Sequence, residues 1–96
     1  MSTQMKVRVL EKGRNLLKLE IENIDPIIFH MMNHHMENEP NVEISGYQIV
    51  HPMSNKYVYI IRVRRGTPKK YMIEALEKIL KDLKEFKEEL MSKVSR

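Results

Sequence analysis

The sequence contains no cysteine, no long apolar run and no strong excess of charge of one sign. Without cysteine there is no disulfide framework, no thiol nucleophile and no cysteine-bound zinc. No stretch approaches the ~18 apolar residues that span a bilayer. The opening residues, Met1 to Gln4 and then Met5-Lys6-Val7-Arg8, lack the apolar run of a secretory leader. The simplest compartment is the cytoplasm, without membrane attachment. The 17 basic residues are interleaved with 13 acidic ones, and the formal net charge of +4 is a mild bias, not a nucleic-acid signature. Also missing are a Gly-rich phosphate loop, a Gly-x-Ser-x-Gly elbow and a spaced carboxylate pair with a plausible partner.

What remains is a chain of 96 residues, 42% hydrophobic, with apolar positions along its whole length. That composition supports one globular domain over residues 1–96 and leaves no disordered, low-complexity or repeated tract. A chain this short buries only a modest fraction of its surface, so a second chain covering its apolar positions would help.

Met5 to Glu11 is a short β-rich run. Leu16 to Asn23 alternates Leu17, Leu19 and Ile21 against Lys18, Glu20 and Glu22, the period of a half-buried strand. Lys12-Gly13-Arg14-Asn15 supplies the hairpin loop between them. Asp25 then reads as an N-cap with Pro26 in the first helical position, and the first helix should end near Asn38, ahead of Pro40. Val42 to His51 is a third strand in which Gly46 marks a bulge or a point of close approach, and Pro52 to Lys56 forms the following turn. The fourth strand, Tyr57 to Arg64, sends Tyr59, Ile61 and Val63 one way and Val58 and Ile60 the other. Thr67 caps a long second helix that starts at Pro68 and runs to about Val94. The order β-β-α-β-β-α predicts an α+β domain, a four-stranded, mainly antiparallel sheet covered by two helices.

In the second helix Met72, Leu76, Ile79, Leu83, Phe86 and Leu90 are spaced four, three, four, three and four apart, the seam of a heptad, and Ile73 and Leu80 widen it. Lys70 and Glu74, Lys78 and Asp82, and Lys81 and Glu85 place opposite charges one turn apart on the reverse face. A helix of about 27 residues is ~40 Å long, whereas strands of about eight residues span ~26 Å. The excess apolar length must find another surface. The plain alternative is that the stripe is ordinary core. Met31, Met32, Met36, Met72 and Met91 lean toward an intermolecular seam, because thioethers adapt to irregular contacts, although methionine is also common in cores.

The histidines and the basic residues admit other chemistry. His30 and His34 share one helical face with His35 adjacent, but no third ligand or HExxH set accompanies them, so partly exposed helix histidines are the expectation and no metal is assigned. Asn33-His34-His35 followed by a strand and His51 resembles the His-His-Pro signature and distant third histidine of pterin-4a-carbinolamine dehydratases, whose histidines do general acid/base work. Met36 stands where that proline should be, the usual aromatic after Glu37 is absent, and no initial helix precedes the first strand. Arg62, Arg64, Arg65, Lys69 and Lys70 cluster where the fourth strand meets the second helix. They read as a solvated patch, or as a docking feature for acidic protein or nucleic acid. A stand-alone nucleic-acid module would display aromatics over the bases, and Tyr57 and Tyr59, the candidates, can equally be buried.

Val7-Arg8-Val9-Leu10-Glu11-Lys12-Gly13, then Leu19-Glu20-Ile21-Glu22-Asn23 running into Asp25, resembles the N-terminal hairpin of the archaeal RNA polymerase subunit L family. Asn41-Val42-Glu43, Gly46-Tyr47 and His51-Pro52 look like that family's second block, and the basic strand and terminal amphipathic helix follow in order, from roughly Val7 to Glu89. No single motif decides the match; ordering and spacing together carry it. One departure stands out. Where the family usually shows Asp-His-Thr-Leu-Gly-Asn, this chain has Asp25-Pro26-Ile27-Ile28-Phe29-His30, which keeps only Asp25 and an apolar residue at Ile28.

The resemblance implies the dimerisation fold of the bacterial alpha N-terminal domain. It implies a non-catalytic assembly subunit of a nucleotidyltransferase complex, without cofactor, metal or catalytic residue of its own. The D-type subunit of the polymerase would be the direct partner, through it the other polymerase subunits, and nucleic acid only indirectly; the isolated chain can self-associate through the same surface. In that arrangement both helices contribute partner contacts, here Ile28, Met31, Met32 and Met36 with Met72, Leu76, Ile79, Leu83, Phe86 and Leu90. Asp25, Gly46, Tyr47, His51 and Pro52 are the family-motif positions.

Overall fold

A computed structural model of the chain describes residues 4–94. The first three positions, part of the opening segment without an apolar run, lie outside the described residues, as do residues 95–96. The elements are β1 (Lys6–Lys12), β2 (Leu16–Glu22), α1 (Ile27–Met36), β3 (Val42–Ile49), β4 (Lys56–Val63) and α2 (Pro68–Lys93). The strands form one sheet in the order β1-β2-β4-β3, antiparallel at every step. This is the expected α+β arrangement, and its boundaries differ from expectation by a few residues. β3 stops at Ile49, so His51, expected in the strand, joins Pro52 in the turn, and α1 stops at Met36.

Local chemistry accounts for the corners. The Gly13 N–H donates to the Leu16 carbonyl at 2.7 Å and closes the first hairpin. Asn23 leaves β2 with φ of 60°, a left-handed conformation that asparagine tolerates, and its side-chain amide donates to the Gln4 carbonyl at 2.9 Å. The Asp25 carboxylate accepts the Ile27 N–H at 3.0 Å, so it satisfies a free donor of the first turn although helical hydrogen bonding starts at Ile27, one residue later than expected. Thr67 caps α2 as expected, accepting from the Lys70 N–H at 3.4 Å with Pro68 behind it. Ahead of it Gly66 turns the chain with φ of 78°.

One face of the sheet carries the core. Tyr59, Ile61 and Val63 of β4 are fully buried, joined by Leu19 and Ile21 of β2, Phe29, Met32 and Met36 of α1, and Tyr71, Ala75 and Ile79 of α2. Phe29, where the resembled family carries glycine, sits inside this core with its ring 5.0 Å from Tyr47, 5.7 Å from Tyr57 and 5.6 Å from Tyr59. The departure at the start of α1 is thus absorbed by internal packing. Tyr57 and Tyr59 are buried too, so neither is free to stack on a base.

The expected heptad seam is redrawn by this packing. The buried stripe of α2 is Tyr71, Ala75 and Ile79, with Met72 half-buried beside it, whereas Leu76 falls outside. The reason is that Ala75 lets the helix approach the sheet closely, and the phenol of Tyr71 reaches inward; a count of large aliphatic side chains scores neither. Among the described residues none of the three expected ion pairs on α2 closes: Asp82 instead faces His35 of α1, Nε2 to Oδ2 at 3.9 Å, and the pair that does form along the helix is Lys93 with Glu89 at 3.7 Å.

Candidate partner interface

α2 outgrows its sheet. Its 26 residues make a rod of ~39 Å at 1.5 Å per residue, while the strands it lies on have seven or eight residues and span ~26 Å. Packing against the core ends at Ile79, and beyond it Leu80, Leu83, Phe86, Leu90 and Met91 are between 49% and 68% exposed. The overhang stretches the molecule to a Cα radius of gyration of 15.5 Å, against roughly 13 Å for a compact domain of about 100 residues. Fully burying side chains of this size is worth about 1.5–3 kcal/mol each, which the isolated fold forgoes at several consecutive positions.

The root of the overhang forms a groove with the outer side of α1. It has a volume of about 400 Å³ and is lined by Met31, Ile79, Leu83 and Phe86 together with His30, His34, His35 and Asp82. The expected partner-contact residues therefore fall into two groups. Met32, Met36 and Ile79 are buried, and Ile28, Met31 and Met72 are half-buried against the same core; Leu76, Leu83, Phe86 and Leu90 are exposed. Sequence reasoning missed a further part of the surface. Val7 and Val9 of β1 pair with Ile21 and Leu19, on the sheet face that the helices cover, yet they are 60% and 56% exposed. The helices do not reach β1, and alternation of Val7 and Val9 with Lys6 and Arg8 was the available signal.

The family-motif residues do structural work at other places. Asp25 starts α1, the Tyr47 ring stacks on Phe29, and the His51 carbonyl accepts both the Ser54 N–H and the Ser54 hydroxyl at 3.1 Å, which fixes the turn that contains Pro52. Gly46 pairs straight through with Ile60; the irregularity in β3 lies between Val42 and Ile44, so Gly46 is no bulge.

The histidines do not converge. The His34 and His35 rings meet edge-on with centroids 5.9 Å apart. Asn33 accepts from the Ser45 hydroxyl and Phe29 lies over Tyr47, so α1 runs antiparallel to β3. His51 then lies past the end of β3 at Ile49, the end that α1 runs away from as it reaches His34 and His35. Among the described residues no three His, Cys, Asp or Glu side chains group to hold a metal ion. In the basic cluster Arg64 is a structural tie, its Nη1 donating to the Pro40 carbonyl at 2.8 Å. Among the described residues no helix is long and apolar enough to cross a membrane.

An uncovered apolar helix face beside a packed sheet is the kind of surface that a second chain covers. Residues 16–89 match the family model described as the RNA polymerase Rpb3/Rpb11 dimerisation domain. The chain is 30% identical over 84 residues to the DNA-directed RNA polymerase subunit Rpo11 of Pyrococcus furiosus, covering 84% of this chain and 88% of the relative. It is 26% identical over 85 residues to the protein of the same name from Pyrobaculum aerophilum, covering 88% and 92%. The crystal structure of DNA-directed RNA polymerase subunit L from Thermoplasma acidophilum superposes with a TM-score of 0.72 at 25% identity, covering 97% of this chain and 96% of that one. The fold, the uncovered face and these relatives agree: the chain belongs to the RNA polymerase Rpb3/Rpb11 dimerisation-domain family, as an assembly subunit of DNA-directed RNA polymerase.

Proposed function

We propose that the chain is subunit L of an archaeal-type RNA polymerase, working in the cytoplasm by pairing with the D-type subunit into the platform on which the large catalytic subunits assemble. One observation carries the reading: the face of α2 past Ile79, from Leu83 through Phe86 to Leu90, is apolar, exposed and continuous with the α1 groove. A surface of this kind is stabilised by a partner that removes it from water. Methionine at the groove suits the pairing, since Met31 can adapt its three rotatable bonds to a crossing helix. The chain itself supplies no chemistry; its contribution to transcription is geometric.

Co-expression with a D-type subunit followed by size exclusion tests this. A single co-eluting species at micromolar concentration is expected. Separate elution of the two chains would refute the assignment.

A further inference from the structure

The face of the sheet turned away from the helices carries a feature that the pairing of α2 does not use. Gly46 lies in the middle of β3, paired with Ile60, and its backbone needs no left-handed φ. A Cβ built on it would meet nothing within 4 Å. Neither the backbone conformation nor the chain's own packing requires glycine there, although glycine weakens a strand interior. The remaining physical role of such a residue is to let another molecule approach the backbone closely.

The surroundings show what kind of molecule. Leu10, Val58 and Ile60 floor a shallow hollow of about 470 Å³ beside Gly46, with Lys18 and Gln48 in its wall. On this face Glu20 is paired with Arg8 at 2.9 Å and Glu22 with Lys56 at 3.5 Å, whereas Glu11, across from Lys18, makes no ion pair among the described residues. Lys18 stands opposite Ile60, and Arg62 is the next residue of β4 on the same face. Among the described residues neither makes an ion pair or a side-chain hydrogen bond, although Glu11 lies across from Lys18 in register. The hollow is therefore apolar at its floor and positive at its edge.

We infer that this open sheet face is a second docking surface, which takes an acidic amphipathic segment of another protein subunit, an apolar side chain seated over Gly46 and carboxylates on Lys18 and Arg62. The inference rests on the chain working inside the polymerase, and it places a second protein neighbour on the side opposite α2. A protein segment fits better than nucleic acid, because the floor offers apolar contact and the one aromatic residue at the hollow, Tyr47, has its ring stacked on Phe29 on the opposite face of the sheet.

Photo-crosslinking in the assembled enzyme tests it, with benzoylphenylalanine replacing Gln48 in one preparation and Leu90 in another. The expected result is that Gln48 captures a segment rich in Asp and Glu with an apolar residue, different from the segment captured at Leu90. Capture of nucleic acid or of a basic segment at Gln48, or of nothing there while Leu90 captures its partner, overturns the inference and leaves the α2 pairing standing. Failure at both positions overturns both. Gly46→Val supplies the second arm: the free variant should melt at or above the parent's temperature, since its side chain enters open space, yet compete for incorporation about tenfold less well. Arg62→Glu should show the same split. Equal incorporation, or a fall in melting temperature of the free Gly46→Val chain, contradicts the close-approach role.

Discussion

Ile79 and Leu83 lie one helical turn apart on the same side of α2, but Ile79 is 7% exposed and Leu83 is 53% exposed. The domain's own core ends between them. Up to Ile79 the helix is held by α1 and the sheet; past it, the same apolar pattern continues over solvent.

Substitutions on the two sides of that boundary should therefore separate folding from pairing. Ile79→Ala should lower the stability of the free chain by about 2–5 kcal/mol, the cost of a core cavity. Leu83→Asp and Phe86→Asp should leave its denaturation midpoint nearly unchanged and abolish co-elution with the D-type subunit, because a carboxylate on an apolar contact must be desolvated. Lys84→Asp, on the solvated side, should pair as the parent does. Normal pairing by both apolar variants would show that the overhang is a solvent-tolerant extension.

Tyr59 gives a pH-dependent prediction. Its hydroxyl lies 2.6 Å from Ser45 Oγ, and Ser45 Oγ lies 2.6 Å from Asn33 Oδ1. Burial pushes its ionisation above the ordinary value of 10.0, with the Ser45 hydrogen bond opposing in part. The folded state then holds the phenol proton more tightly than the unfolded state does. This contribution is complete below the ordinary tyrosine value and is lost as pH rises through the higher folded value. Melting temperature measured between about pH 8 and 11 should fall more steeply in the parent than in Tyr59→Phe, and the variant should cost about 0.5–1.5 kcal/mol at neutral pH. Parallel curves would contradict the assignment.

Much of this was legible in the sequence, for identifiable reasons. Alternation in β2 and β4 and the Thr67-Pro68 start of α2 carry their structure locally, and the element order was right. The interior of α2 was not, because spacing identifies an apolar stripe without saying which part is covered: Tyr71 and Ala75 are buried, and Leu76 is not. Gly46 was ambiguous between bulge and close approach until its pairing with Ile60 was seen. Met5 to Glu11 read only as a β-rich run, without a face for Val7 and Val9; they lie on the helix-covered face of the sheet yet stay exposed on its edge strand β1.

Gly66 should tolerate no side chain. Its φ of 78° is strained for other residues, and a Cβ would stand 3.3 Å from Tyr71 Cε2, a core ring. Gly66→Ala should cost about 1–2 kcal/mol, read as a lower denaturant midpoint with an unchanged slope.

The contact between His35 and Asp82 should matter little by itself. At 3.9 Å, with the Asp82 side chain 68% exposed, it is a solvated pair between α1 and α2. Asp82→Asn should change stability by less than about 1 kcal/mol, as measured by urea unfolding. A larger loss would show that the pair clamps the groove.

Amide hydrogen exchange on the chain alone and after mixing with the D-type subunit tests the central claim most directly. The account predicts that the amides from Leu80 to Leu90, which exchange fast in the free chain because that length of helix buries little of its surface, become strongly protected in the complex while those of β4 change little. Complex formation with unchanged exchange over Leu80 to Leu90 would contradict it and place the pairing surface elsewhere.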